Sequence, residues 1–314
     1  MFVQNNSTRL AVIFAMLSWV FISMNDTVIK LLSDTYPLHQ MVFIRSIIGI
    51  FFSLFLVKLE GGWQILKTKK PFLHLIRGLL LVTVNMSYFS ALVILPLANT
   101  AAIFFIAPLL ITMLSVLLLG ETVGRRRTVA VIFGFIGVII IMRPFNLAQG
   151  NIYLVAYCLP LLAALCYAFM QILTRKLGIV SKASAMAVYL QMVFLAVSSI
   201  FWFLFGDGRY VESFQNPSMV FLLRAWEWPS SSDWPFFIFI GILSSAVGYC
   251  SSQAYRLASA SFVAPFEYVA LPLAALWGWL IFGELPDYWA SIGMLIIVGS
   301  GLYVYQREKI AARS

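Results

Sequence analysis

The chain has 314 residues, of which 62% are hydrophobic and 11% charged, and its 21 Lys and Arg against 12 Asp and Glu give a formal net charge of +9. Soluble domains run at about 45–50% apolar and about 25% charged, so the composition excludes a soluble fold and makes lipid the expected solvent. The positive charge lies in short segments between long apolar runs, a distribution that argues against nucleic-acid binding.

A helix needs about 20 mostly apolar residues to cross a bilayer. The sequence offers ten such runs, at 10–32, 38–58, 72–94, 98–119, 126–143, 152–174, 184–206, 235–255, 259–282 and 288–306. They predict an all-α membrane protein of ten transmembrane helices, because a β-barrel would alternate in segments of about ten residues. The first run is too long for a signal-peptide core, carries Asn25, Asp26 and Lys30 and lacks a small-residue cleavage site, so it is expected to be retained. Within it Trp19, Ser23, Asp26 and Lys30 are spaced by 4, 3 and 4 and share one helix face. A face this polar is expected to turn away from lipid. The second and third runs carry Arg45 and Arg77, then Asn85 and Tyr88. The fourth carries Phe104, Phe105 and a mid-span Pro108, and closes on Gly120-Glu121.

The sixth run holds Gln171 and the eighth Tyr249 and Gln253, while Cys158, Cys166 and Cys250 lie inside runs without disulfide or zinc spacing and read as small buried residues. Between the seventh and eighth runs a loop at 207–234 carries Trp226, Trp228 and Trp234. Tryptophan at this position reads as an interfacial anchor, with a gating lid as the alternative, and Met219–Trp228 is expected to form a short helix. The ninth run carries Glu267, Tyr268 and Pro272 and closes on Gly283-Glu284. A proline removes a backbone hydrogen bond and kinks its helix, so Pro108 and Pro272 predict a bend in each copy of that span. Glu121 and Glu284 stand at unfavourable helix C-termini and are expected to cap the next helix.

Asp26, Arg45, Arg77 and Glu267 lie well inside their runs. At about 1.5 Å per residue, Asp26 and Arg45 share a depth of about 10 Å from one side, and Arg77 and Glu267 a similar depth from the other. Two acid–base pairs are thus available, as structural ties or as a cavity lining. With Trp19, Ser23, Asn85, Tyr88, Phe105, Gln171, Tyr249, Gln253 and Tyr268 they form the candidate substrate site. The four charges sum to zero, which suits a zwitterionic or amphoteric small molecule, and Lys30 adds a positive group near one rim.

Placing both termini in the cytoplasm puts Arg9, Lys58, Lys67, Lys69, Lys70, Arg125–Arg127, Arg175, Lys176, Lys182, Arg256, Arg307, Lys309 and Arg313 inside, leaving Arg143, Arg209 and Arg224 outside. That is the positive-inside pattern. The chain also repeats itself. Gln40-Met41-Val42-Phe43 returns as Gln191-Met192-Val193-Phe194, and the Pro108 to Gly120-Glu121 segment as Pro272 to Gly283-Glu284. Five runs per copy is odd, so halves 1–147 and 148–314 are expected to be inverted, an arrangement associated with alternating-access carriers. The basic loop after Glu121 and the acidic one after Glu284 agree with inversion.

These features resemble the EamA-type members of the drug/metabolite transporter superfamily, on Ala107-Pro108 through Gly120-Glu121, Gly134-Phe135-Ile136-Gly137-Val138 and Leu271-Pro272 through Gly283-Glu284. The resemblance implies a ten-helix secondary transporter with a central cavity. Asn25-Asp26-Thr27 with Lys30, Phe43-Ile44-Arg45 and the segment from Pro71 through Arg77-Gly78 to Leu81 are similar to the branch containing S-adenosylmethionine uptake carriers, and some riboflavin importers share related patterns. The expected setting is a bacterial-type inner membrane, as monomer or homodimer, without cofactor or metal, driven by a proton or a substrate gradient. No phosphate-binding loop with Lys-Ser/Thr occurs in the sequence. An intramembrane enzyme and a channel are the rival classes, and the mixed single charges favour a carrier over the like-charged rings common in channels.

Overall fold

The computed structural model describes residues 2–120, 125–142 and 150–311, so Glu121, Arg143 and Arg313 lie outside the described residues. The regular structure among the described residues is helical, with no strands. In chain order the helices are α1 (Phe2–Leu32), α2 (Leu38–Glu60), α3 (Pro71–Leu92), α4 (Leu97–Phe104), α5 (Ala107–Leu119), α6 (Arg125–Met142), α7 (Gly150–Leu177), α8 (Ala183–Phe205), α9 (Pro217–Leu223), α10 (Trp234–Leu257), α11 (Ala260–Val263), α12 (Ala270–Phe282) and α13 (Tyr288–Ala311). Among them are eight stretches long and apolar enough to cross a membrane, counting α4–α5 and α11–α12 as one each, plus the shorter apolar Ile132–Ile141 and Tyr288–Ser300.

The bundle has two ends, named here after Lys30 and Glu60. Helix α1 finishes at the Lys30 end, where Lys30 meets Glu284. Helix α7 finishes at the Glu60 end, where the adjoining Gly178 carbonyl accepts from Arg256. The first helices of the two sequence halves therefore run in opposite directions.

The predicted bends are breaks. Span four divides at Phe105-Ile106, and Pro108 falls in the first turn of α5, where its missing N–H costs no hydrogen bond. Span nine divides through a 3₁₀ stretch, Ala264–Val269, which carries Glu267 and Tyr268. Both spans end alike: Gly120 (φ 70°) and Gly283 (φ 66°) adopt the left-handed conformation that closes α5 and α12.

Lipid offers no hydrophobic drive between helices, so close backbone packing through small residues carries their association. Helices α6 and α13 meet this way, since a Cβ at Gly293 would stand 2.6 Å from the Gly137 carbonyl and 2.4 Å from Ile141. Helices α2 and α10 are joined by Ser53 and Ser245 at 2.9 Å. Of the cysteines only Cys250 is buried; Cys158 is exposed and Cys166 intermediate.

The 207–234 loop is pinned rather than free. Its helix is Pro217–Leu223, earlier than the expected Met219–Trp228, because Asn216 caps it by accepting from the Ser218 amide at 2.9 Å and Pro217 occupies the first turn. The Trp226 indole donates to His39 and stacks on its ring, and the Gln40 amide donates to the Glu227 carbonyl. The Tyr36 hydroxyl donates to Asp233 at 2.7 Å, and this bond with that from Ser230 holds the Asp233 carboxyl below the usual carboxylate range.

Substituting Gly293 with Val is expected to overpack the α6–α13 contact and destabilise by about 1–3 kcal/mol. Gly299→Ala, where an added Cβ meets nothing within 4 Å, is expected to leave the thermal midpoint of the detergent-purified protein unchanged or raised. Equal effects at both positions would refute this packing account.

Candidate functional site

A central cavity of about 1160 Å³, its mouth included, is walled by α1, α2, α3, α4, α7, α8, α10 and α12. Eight of the thirteen candidate residues line it: Trp19, Ser23, Asp26, Arg45, Arg77, Asn85, Tyr88 and Phe105. The α1 stripe accounts for three of them. Its fourth member, Lys30, lies at the rim and is not an unpaired cation, since its Nζ lies 2.6 Å from Glu284 Oε2.

The polar part of the wall bridges α1, α2 and α3. Arg45 donates to Asn85 Oδ1 at 2.5 Å and to Asn25 Oδ1 at 3.4 Å, and its guanidinium lies 5.2 Å from the centre of the Phe194 ring. The Asn25 amide in turn donates to Asp26 at 3.3 Å. The expected direct Asp26–Arg45 pair is absent. Consecutive helix residues point about 100° apart, so Asn25 turns to Arg45 and Asp26 turns to the cavity and the Tyr88 hydroxyl. Arg45 Nε has no partner. Asp26, already touched by Asn25 and Tyr88, is the carboxylate that borders the cavity, while the unpartnered Arg45 Nε is itself buried.

The second expected pair is absent too. Arg77 is 1% exposed and donates to Thr174 Oγ1 at 2.6 Å, the Met186 carbonyl at 3.1 Å and Ser252 Oγ at 3.1 Å. Glu267 Oε1 accepts from Tyr255 at 2.5 Å and Tyr167 at 3.1 Å. Each charge is held by neutral groups on its own side, which removes the need for the other.

The rest of the wall is aromatic. Trp19 lies 4.9 Å from Phe105 and 5.9 Å from Tyr167 between ring centres, and Phe104 lies 5.3 Å from both Tyr88 and Tyr167. A planar group entering this cage meets ring faces and edges on several sides.

Five candidates fall outside the lining. Gln171 is fully buried and donates to Tyr167 at 2.5 Å and Ser251 at 3.1 Å. Tyr249 and Gln253 bond each other at 3.0 Å near the Glu60 end, and Gln253 donates to Glu60 at 3.3 Å. Glu267 and Tyr268 stand behind the wall in the 3₁₀ stretch. Polar wall residues absent from the sequence-based set are Asn25, Tyr167, Gln191, Ser244 and Ser251. Gln191 was legible as the echo of Gln40 in the repeated Gln-Met-Val-Phe motif.

Each end of the bundle carries a carboxylate that takes one cation and one helix N-terminal amide. Glu284 accepts from Lys30 and from the Leu97 amide at 3.1 Å, so it caps α4 rather than the helix that follows it. Glu60 lies 3.5 Å from Arg256 and accepts from the Ser184 amide at 2.9 Å.

The family model described as the EamA-like transporter family matches residues 9–143 and 154–306. The chain is 27% identical over 298 residues to the S-adenosylmethionine uptake transporter of Rickettsia prowazekii (strain Madrid E), covering 94% of this chain and 92% of that one. It is 30% identical over 283 residues to the riboflavin transporter of Vibrio cholerae serotype O1, covering 88% and 86%. It is 26% identical over 298 residues to the pseudopaline exporter CntI of Pseudomonas aeruginosa (strain UCBPP-PA14), covering 95% and 96%. A solved crystal structure shares the fold with a TM-score of 0.70 at 20% identity, over 98% of this chain and 99% of its own.

Glu284→Gln removes the ion pair at the Lys30 end and keeps an acceptor for the Leu97 amide. In a background with the three cysteines replaced by Ala and Ser23 by Cys, it is expected to speed maleimide labelling at position 23 by up to about fivefold, the equivalent of a partly exposed pair worth up to about 1 kcal/mol. Unchanged labelling would mean that this contact does not hold the end closed.

Proposed function

Because this chain belongs to the EamA-like transporter family, we propose that it carries a small amphoteric metabolite of the S-adenosylmethionine kind across the inner membrane by alternating access. The observation that carries the substrate class is the two-part wall. An aromatic cage of Trp19, Tyr88, Phe104, Phe105 and Tyr167 adjoins a polar cluster of Asn25, Asp26, Arg45 and Asn85. A ligand with a planar heterocycle and a zwitterionic chain matches both parts at once: the ring in the cage, its ammonium on Asp26, its carboxylate toward the positive charge of Arg45. The similarity to S-adenosylmethionine carriers over nearly the whole chain favours the same class.

The orientation we propose puts the Glu60 end in the cytoplasm with both termini. It rests on the segregation of Lys and Arg toward that end. Residues 1–147 and 148–314 are proposed as inverted halves, supported by the opposite courses of α1 and α7 and by the matching glycine caps at Gly120 and Gly283.

The second reading is a riboflavin carrier, favoured by the 30% identity to the Vibrio cholerae protein and by the flat cage. Riboflavin carries no zwitterion and would meet Asp26 and Arg45 only through its neutral hydroxyl, carbonyl and N–H groups.

The two readings separate in one experiment. S-adenosylmethionine at 100 times its Kd is expected to stabilise the purified protein by about 2.7 kcal/mol and to enter liposomes containing it. Asp26→Asn is expected to weaken that binding by about tenfold or more, as loss of a charged hydrogen bond does. Stabilisation by riboflavin that survives Asp26→Asn, with none by S-adenosylmethionine, would establish the second reading instead.

A further inference from the structure

Glu267 is 1% exposed, yet it makes no ion pair and does not line the cavity. Its two oxygens are treated differently: Oε1 accepts from both Tyr167 and Tyr255, while Oε2 has no partner. A carboxylate spreads its charge over both oxygens and draws donors to each, whereas a carboxylic acid accepts at its carbonyl oxygen. Among the described residues, the surroundings hold no counter-charge. Facing it are the Tyr167 and Tyr255 hydroxyls and the Trp19 indole, with Tyr268 beside it in the same 3₁₀ stretch. Helices α5, α11 and α12 contain no titratable side chain, nor does the Ala290–Ile297 stretch of α13. Asp26 is the other acid on this side of the cavity, seven residues along α1 from Trp19.

We propose that Glu267 is the proton-binding site of the transport cycle and that Tyr167 links it to the ligand. The proposal rests on the carrier reading above and deepens it. Tyr167 belongs to both places: its ring forms part of the aromatic cage and its hydroxyl holds Glu267 Oε1. A ligand that displaces the Tyr167 ring removes a donor from Glu267, and a change of charge at Glu267 repositions the ring. Two ligands that alter one shared contact are coupled, and the coupling is reciprocal. The location supplies the movement. Glu267 lies in the broken part of span nine, where the α-helical hydrogen-bond ladder is already interrupted, so the segment can turn toward water without breaking a helix. The step is a simple protonation: Oε2 of the carboxylate takes H⁺ from water on one side, the neutral acid is held while the site is closed, and the proton returns to water on the other side.

The test has two arms. In the first, infrared pH-difference spectra are recorded on the purified protein without substrate. A carboxylic-acid C=O band is expected to titrate in the wild type and in Asp26→Asn, to vanish in Glu267→Gln, and to shift upward in frequency in Tyr167→Phe, which removes one hydrogen bond to that oxygen. In the second, liposomes with the membrane potential clamped are assayed with S-adenosylmethionine. Wild-type accumulation is expected to respond to a pH gradient by up to about tenfold per unit. Glu267→Gln is expected to lose that response and to retain exchange of internal for external S-adenosylmethionine, which needs no net proton movement. A titrating band that persists in Glu267→Gln, or a full response to the gradient in that variant, overturns the proposal. If the variant does not fold, an unshifted band in Tyr167→Phe overturns it. Failure of the wild type to exchange S-adenosylmethionine refutes the substrate reading alone and leaves the infrared arm to decide the proton site.

Discussion

An ion drawn into the hydrocarbon core must be met by opposite charge, by hydrogen bonds or by water. At a helix centre it otherwise costs about 2.5–3.5 kcal/mol on insertion scales. This chain meets that requirement mainly with neutral groups. Thr174, Ser252 and a main-chain carbonyl take Arg77; two asparagines and the face of Phe194 take Arg45; two tyrosines take Glu267. The arrangement has a structural consequence. Each charge ties several helices together through short-range, directional contacts, so Arg77 alone connects α3, α7, α8 and α10. It also has a functional one. A direct ion pair would neutralise both partners and give a ligand little to gain, whereas charges held by amides and hydroxyls keep most of their field.

The scaffold was largely legible in the sequence, because span length and hydropathy are imposed by the bilayer and each run has a helical counterpart. The polar stripe of α1 was legible for the same reason, since Trp19, Ser23 and Asp26 cannot face lipid and the helical period puts them together. The partners of the charges were not. Depth along a helix is one coordinate, and it placed Arg77 level with Glu267. The angular positions of α3 and of the span-nine 3₁₀ stretch around the bundle are a second coordinate that no single-chain pattern contains. Thr174, Ser252, Tyr167 and Tyr255 are ordinary intramembrane residues by composition, and only their convergence distinguishes them. Tyr167 is the clearest case: as a residue type it signals nothing, while its place between cage and carboxyl makes it central.

The breaks in spans four and nine show how one sequence device gives two structures. Each copy has a proline and a terminal Gly-Glu, yet span four resumes its helix after two residues, while span nine passes through six residues of 3₁₀ conformation. The difference follows the side chains. Phe104 and Phe105 pack into the cage, against Tyr88, Tyr167 and Trp19, and are satisfied there by apolar contact. The span-nine stretch carries Glu267 and Tyr268, which must reach polar partners or go without, and the Tyr268 hydroxyl goes without. A buried unpaired hydroxyl costs about 1–3 kcal/mol.

The two ends complete the argument. Glu284 and Glu60 use the same chemistry, a carboxylate shared between a cation and the first turn of a helix, and both contacts are made in this structure. Alternating access requires that one be broken while the other holds. Because each carboxylate lies near an end, opening exposes it to water, which replaces the lost partners at small cost. The central charges have no such substitute while the cavity is closed. With Glu267 as the proposed proton site, the free-energy difference between inward and outward forms is set less by the latches than by what fills the cavity and by the charge at Glu267, and the middle of the bundle, rather than its gates, would read ligand and proton together.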